Sequence, residues 1–131
     1  MLWKSSYKTG IDEIDRQNLD LIKNVEVMMR PDDLGAKLMR LEDFEKLVKK
    51  YFEHEQRLHK ELSYSDAYWH KIAHEVYIKK LQHVKRNFVE TGATLENEKN
   101  FRTKVVEFLK NHIACHDRSF AHFYFDNMVY A

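Results

Sequence analysis

The 131-residue sequence predicts an all-α fold, an up-down-up-down four-helix bundle with an N-terminal arm and a short C-terminal helical tail. Two features of composition favour helices: glycine and proline number only 3 and 1, and 33% of residues are charged, as suits long helices with solvated outer faces. Apolar residues recur at intervals of three and four along most of the chain. Because the connections are short, successive helices are expected to be antiparallel, and residues 1–131 form one domain.

The charge balance excludes several classes of partner. The 22 basic and 21 acidic residues are interspersed, giving a net charge of +1, so no basic face is available for nucleic acid or a membrane surface. A single cysteine, Cys115, cannot form an internal disulfide, and we expect it to be a small buried hydrophobe. No apolar run approaches a membrane span and no signal-peptide core is present, so the cytoplasm is the expected location.

The first helix follows an arm over residues 1–12 that carries Trp3 and Tyr7. Its apolar stripe consists of Ile11, Ile14, Leu21, Val25 and Met28. Asn18 falls inside this stripe, where a hydrophobe is expected. The sequence Pro31-Asp32-Asp33 should end the first helix and cap a second one that begins near Leu34.

The second helix carries a charged residue, Glu55, on the face that its apolar stripe predicts to be buried. The stripe is Leu34, Leu38, Leu41, Phe44, Val48, Tyr51, Phe52, Leu58 and Leu62. A buried carboxylate needs a partner. Ser65 and Asp66 should cap the third helix, which Gly92 ends.

The fourth helix is expected to open around Glu96–Glu98 and to be followed by an aromatic tail. Its inward residues are Phe101, Val105, Phe108, Leu109, His112 and Cys115, and the tail carries Phe120, Phe123, Tyr124 and Phe125.

Polar residues of three helices should meet at one height in the bundle. His70 and His74 are four residues apart and point the same way on a helix. With a rise of about 1.5 Å per residue, Glu55 and His74 each lie roughly 12 Å from the turn between their helices, and His112 arrives within about one helical turn of them. This grouping predicts a metal site, for which imidazole and carboxylate donors suit iron, zinc or manganese.

The residues around this site resemble those of the hemerythrins, in particular bacterial hemerythrin-like proteins, over nearly the whole chain. The matching motifs are Gly10-Ile11-Asp12-Glu13-Ile14-Asp15-Arg16-Gln17, Phe52-x-x-Glu55-Gln56-x-Leu58, His70-x-x-x-His74 and Phe108-Leu109-x-x-His112-Ile113-x-x-x-Asp117. The resemblance implies two irons bridged by a glutamate, an aspartate and an oxo or hydroxo group.

By this resemblance, His70, His74 and His112 hold one iron, and Glu55 and Asp117 are the bridging carboxylates. The residues that would line an apolar oxygen pocket are Phe52, Phe108, Leu109 and Ile113. Asp117 is five residues after His112, about 140° further round an ideal α-helix, so both reach one metal only if the helix carries a bulge or kink there.

The chain departs from the family at the second iron, whose two histidines should stand at positions 18 and 51 but are Asn18 and Tyr51. An asparagine amide is a poor iron ligand, whereas a tyrosine phenolate favours ferric iron and opposes reversible oxygenation. A possible second-metal site comprises Asn18, Tyr51 and His59. The alternatives are a register-setting core asparagine at 18, an aromatic that only fills space at 51, and a hydrogen-bonded core-edge histidine at 59.

The sequence therefore predicts a non-haem iron protein with an altered second site and impaired reversible oxygen carriage. It would bind, sense or store dioxygen, nitric oxide or peroxide. One iron is expected, and whether a second binds is left open, as is the oligomeric state. The alternative is a mononuclear or metal-free structural or interaction module. An enzyme is not expected; peroxidase or oxidase activity at two irons is the alternative.

Overall fold

Helices make up nearly all of the computed structural model, which describes residues 2–130 and the side chains of residues 2–128. A short 3-10 helix, Ser5–Tyr7, is followed by α1 (Asp12–Met28), α2 (Leu34–Glu61), α3 (Ala67–Thr91) and a last continuous helix, α4 (95–130). The described residues contain no strand. Four helices are consistent with a four-helix bundle, and their up-down-up-down order stays a prediction. No helix in this part of the chain has the length and hydropathy to cross a membrane.

Local capping accounts for three of the helix boundaries. At the start of α2, Asp33 Oδ1 accepts a hydrogen bond of 2.8 Å from the Ala36 backbone N–H, as the sequence predicted. Gly92 ends α3 with a φ of 80°, which glycine adopts without steric cost. Asp66 occupies the N-cap position of α3, but its side chain makes no capping hydrogen bond, so that part of the prediction is wrong. Thr94 caps α4, which begins at Leu95, slightly earlier than predicted.

The core is formed by apolar side chains of all four helices, and one buried cation links three of them. Lys37 of α2 is 3% exposed. Its Nζ lies 2.8 Å from Glu98 of α4 and donates to the Met28 carbonyl oxygen at 3.0 Å. Leu62, predicted in the stripe of α2, is 36% exposed because it follows the end of that helix.

Two segments of α4, Arg102–Glu107 and Ile113–Asp117, are π-helical. In a π-helix each residue advances roughly 80° rather than 100° around the axis, because hydrogen bonds join residues five apart. The second segment turns Asp117 into the core, where it is 1% exposed, and so confirms the predicted bulge. The same rotation turns Cys115 outward: it is exposed, and the prediction that it is a buried inward residue is wrong.

The predicted C-terminal tail is helical but is not a separate element. Residues Arg118–Tyr130 continue α4 directly from the second π-helical segment. Phe120 of this segment is fully buried and packs in a small cluster with Ile14 of α1 and Tyr64 of the α2–α3 turn. The end of α4 therefore covers one end of the bundle.

Candidate metal centre

Three helices bring five buried side chains together. Glu55 comes from α2, His70 and His74 from α3, and His112 and Asp117 from α4. Each offers one donor atom, and these five atoms all lie within 4.8 Å of one another. The side chains are between 1% and 5% exposed, so water contributes little to holding them. The convergence gives a group that could hold one metal ion.

Five of the distances between donor atoms are close to those between the corners of an octahedron. Glu55 Oε1 lies 2.7 Å from His70 Nε2 and 2.9 Å from His74 Nε2. Asp117 Oδ1 lies 3.1 Å from both His70 Nε2 and His112 Nε2. The longest of these pairs, Glu55 Oε1 to His112 Nε2, is 4.0 Å apart. At metal–ligand bonds of about 2.1 Å, neighbouring corners are about 3.0 Å apart and opposite corners about 4.2 Å.

The protonation of the cluster reflects two carboxylates buried with three imidazoles. Burial and the nearby Asp117 raise the pKa of Glu55. Burial would also raise the pKa of Asp117, but His112 and His70 hold it well below its usual value. Burial and the neighbouring imidazoles lower the pKa of His74 well below its usual value. A divalent cation would balance the two carboxylate charges, and binding it would require His70 to give up its proton, because the neutral imidazole is the form that binds metal.

Hydrogen bonding and stacking orient His74 toward the centre. Its Nδ1–H donates to Gln56 Oε1 at 2.8 Å, which leaves the Nε2 lone pair facing the cluster. The ring stacks on Phe52, with centroids 3.8 Å apart and planes at 11°. Gln56 lies in a sequence motif, but its role could not be predicted, because a hydrogen bond between two helices leaves no periodic signal in the sequence.

The two residues that replace the expected second pair of histidines are engaged elsewhere. Asn18, only 6% exposed, donates through Nδ2 to Asp117 Oδ2 at 2.9 Å. The Tyr51 hydroxyl donates to Asp20 Oδ2 at 2.5 Å. Burial and that carboxylate raise the pKa of Tyr51 to about 12, which opposes formation of a phenolate. Each of the two side chains is thus held by a carboxylate, Asn18 by Asp117 and Tyr51 by Asp20.

His59 lies beside the cluster without joining it. It is 2% exposed, and its ring centroid is 4.3 Å from that of His70. Neither ring nitrogen has a hydrogen-bond partner among the described residues, so the interpretation of a hydrogen-bonded core-edge histidine is wrong. Burial and the positive field of His70 lower the pKa of His59 to about 4, which keeps the ring neutral.

The residues predicted to line an apolar oxygen pocket occupy different depths. Phe52, Leu109 and Ile113 are buried in the main core, and Phe108 is half-buried against it. Phe52 contacts His74 directly and its ring centroid lies 5.3 Å from that of His112. Phe108 instead stacks on Tyr77, at a centroid distance of 6.2 Å. Of the two aromatic members of this set, Phe52 is thus the one that stacks on a ring of the cluster.

Comparison with known proteins gives one similarity that spans most of the chain. No protein-family model matches the sequence, and no solved structure matches it significantly. The chain is 26% identical over 124 residues to the bacteriohemerythrin of Stenotrophomonas maltophilia (strain R551-3), covering 92% of this chain and 79% of that protein. Together with the buried helical cluster of histidine, glutamate and aspartate, this similarity confirms the resemblance to hemerythrins.

Proposed function

We propose that this hemerythrin-like protein holds a single non-haem iron and uses it to bind a small oxygen-related ligand. The observation that carries the proposal is the convergence of five buried donor atoms of Glu55, His70, His74, His112 and Asp117 within 4.8 Å. Mixed nitrogen and oxygen donors at this coordination number favour iron, with zinc as the main competitor. Similarity to a bacteriohemerythrin supports the same choice of metal.

The hydrogen bond from Asn18 to Asp117 supports one iron rather than two. A bridging carboxylate must offer one oxygen to each metal, and here Oδ2 of Asp117 already accepts the Asn18 amide N–H. An amide N–H cannot coordinate a metal. Because the Asn18 amide N–H points at Asp117 and the Tyr51 hydroxyl is bonded to Asp20, these contacts support one iron rather than two.

Five protein donors would leave an octahedral iron one open position for dioxygen, nitric oxide or peroxide. The chain itself excludes water through Phe52 and the surrounding core, and it holds His74 in the metal-binding tautomer through Gln56. With one iron instead of two, the centre would lack one source of the electrons that a di-iron centre supplies together. We therefore propose ligand sensing or storage, with reversible oxygen carriage impaired.

Metal content and oxygen response test the proposal together. Iron measured on protein loaded anaerobically with Fe(II) should reach about one ion per chain, and dioxygen should then change the visible spectrum. His74→Ala should abolish tight iron binding, whereas His83→Ala, at an exposed histidine of the same helix, should leave it intact. Two irons per chain would refute the single-metal centre. An unchanged spectrum on adding dioxygen would refute oxygen binding.

A metal-free structural module is a second candidate, and one observation favours it. Burial would lower the pKa of His70, but hydrogen bonds to Asp117 and Glu55 raise it to about 9. A proton on His70 could thus join both carboxylates without a metal. Thermal unfolding with and without a strong chelator separates the candidates. Occupancy at 100 times the dissociation constant stabilises by about 2.7 kcal/mol, or about 10 °C in Tm, whereas a metal-free module shows no change.

A further inference from the structure

Four unpaired ring nitrogens lie in or beside the candidate metal centre. Among the described residues, five buried side-chain atoms make no hydrogen bond, and four of them are Nδ1 and Nε2 of His59 and Nδ1 of His70 and His112. The fifth, Glu45 Oε1, lies 3.7 Å from the ammonium of Lys85. Buried polar atoms are normally paired with protein groups or ordered water, because an unpaired one costs free energy. The histidine nitrogens are therefore a place where an ordered water is expected.

Two of the three histidines are in direct contact. The ring centroids of His59 and His70 are 4.3 Å apart and the planes are inclined by 45°. His59 belongs to the last turn of α2 and His70 to the first turn of α3, so the short connection between these helices fixes their approach. Each side chain is 2% exposed. Neighbouring polar groups that make no direct hydrogen bond are commonly joined by a water.

The two rings offer complementary hydrogen-bonding groups. Nε2 of His70 lies in the cluster, 2.7 Å from Glu55 and 3.1 Å from Asp117, so a metal bound at Nε2 leaves the ring proton on Nδ1 as a donor. Histidines that bind metal almost always donate this second N–H to a carboxylate, a backbone carbonyl or a water. His59, whose pKa burial lowers to about 4, is neutral and has a lone pair on one nitrogen.

We propose that His59 and His70 share one buried water, through which His59 is a positioning residue for the metal centre. The water accepts the Nδ1–H of His70 and donates one of its hydrogens to the lone pair of His59. A buried water needs at least two polar partners, and the two rings supply them. The water would hold the His70 ring with Nε2 toward the cluster, as Gln56 holds His74. This inference deepens the proposed metal centre and rests on it for the effect on metal affinity, whereas the water itself does not require a metal.

The water is tested first in the wild-type protein. A high-resolution crystal structure of the metal-free protein should show a water at about 2.7–3.2 Å from His70 Nδ1 and from one ring nitrogen of His59. In ¹⁵N-labelled, zinc-loaded protein, the Nδ1 proton of His70 should exchange slowly and show a nuclear Overhauser effect to water. Absence of the water from the crystal structure would overturn the proposal.

Two matched variants test the positioning role. His59→Gln keeps an acceptor, whereas His59→Leu fills a similar space without one. Zinc affinity, measured by competition with a metal-binding dye, should fall about 10–100-fold in His59→Leu and stay close to the wild-type value in His59→Gln. The Nδ1 proton resonance of His70 should move upfield in His59→Leu alone. His83→Leu, at an exposed histidine of α3, should change neither measurement.

Equal zinc affinities of the His59→Gln and His59→Leu variants would overturn the positioning role, because a residue that only fills space does not distinguish an acceptor from a methyl group. If the wild-type protein then still binds about one metal ion per chain, this inference fails and the metal centre stands. If the wild type binds no metal, the proposed function fails, and the metal-free crystal structure still decides whether the water is present. Should His59→Leu fail to fold, that crystal structure and the resonance of His70 in the wild type decide.

Discussion

Replacing Asn18 by leucine should destabilise the protein by removing the partner of a buried carboxylate oxygen. The Asn18 Nδ2–H donates to Asp117 Oδ2 at 2.9 Å, and the two residues are 6% and 1% exposed, so water cannot easily replace the bond. A hydrogen bond to a charged group contributes about 1.5–3 kcal/mol. For a 131-residue domain, this corresponds to a fall in Tm of about 5–11 °C.

Asn18→Leu should also lower the affinity for metal, because Asn18 orients Asp117, a proposed metal ligand. Removing such an orienting hydrogen bond typically weakens metal binding about 10–100-fold. Calorimetric unfolding and competition with a metal-binding dye measure the two effects. Asn24→Leu is the control, since that amide of the same helix bonds only Asp20, one turn away. If Asn18→Leu and Asn24→Leu had equal effects on Tm and affinity, the hydrogen bond to Asp117 would not be holding the centre.

Four further predictions address the residues around the cluster. Gln56→Leu should also weaken metal binding about 10–100-fold in the dye assay, because His74 loses the acceptor of its Nδ1–H; unchanged affinity would argue against this orienting role. Tyr51→Phe should leave the visible spectrum of the iron-loaded protein unchanged, because the phenol has a pKa of about 12 and donates to Asp20; loss of a charge-transfer band would reveal phenolate ligation. Since that pKa lies above the ordinary value of about 10, the neutral phenol of Tyr51 stabilises the protein below pH 10, and this stabilisation is lost as pH rises through about 12. Thermal unfolding of wild type and Tyr51→Phe, compared across this pH range, should show the loss. Asn18→His combined with Tyr51→His should raise metal content from about one to about two ions per chain, and a content that stays at one would show that more than these two side chains blocks the second site.

The local features of the helices could be predicted because they depend on neighbours in the sequence. The cap at Asp33 and the end of α3 at Gly92 follow from short-range hydrogen bonding and backbone sterics. The spacing of His112 and Asp117 even predicted a bulge, since no ideal α-helix brings residues five apart to one point. The outward turn of Cys115 was missed because the extent of that bulge could not be derived from periodicity.

The sequence by itself determined the helices and brought Glu55, His70, His74 and His112 to one height, because helical rise and turn lengths fix where each residue lies along the bundle, whereas Asp117 was assigned only by the resemblance to hemerythrins. Tertiary structure alone decided what the polar residues beside them contact. Asn18 bonds Asp117, and His59 is buried without a partner. The physical reason is that hydrogen bonds between residues 99 apart in sequence depend on the final packing of helices, which no local pattern encodes.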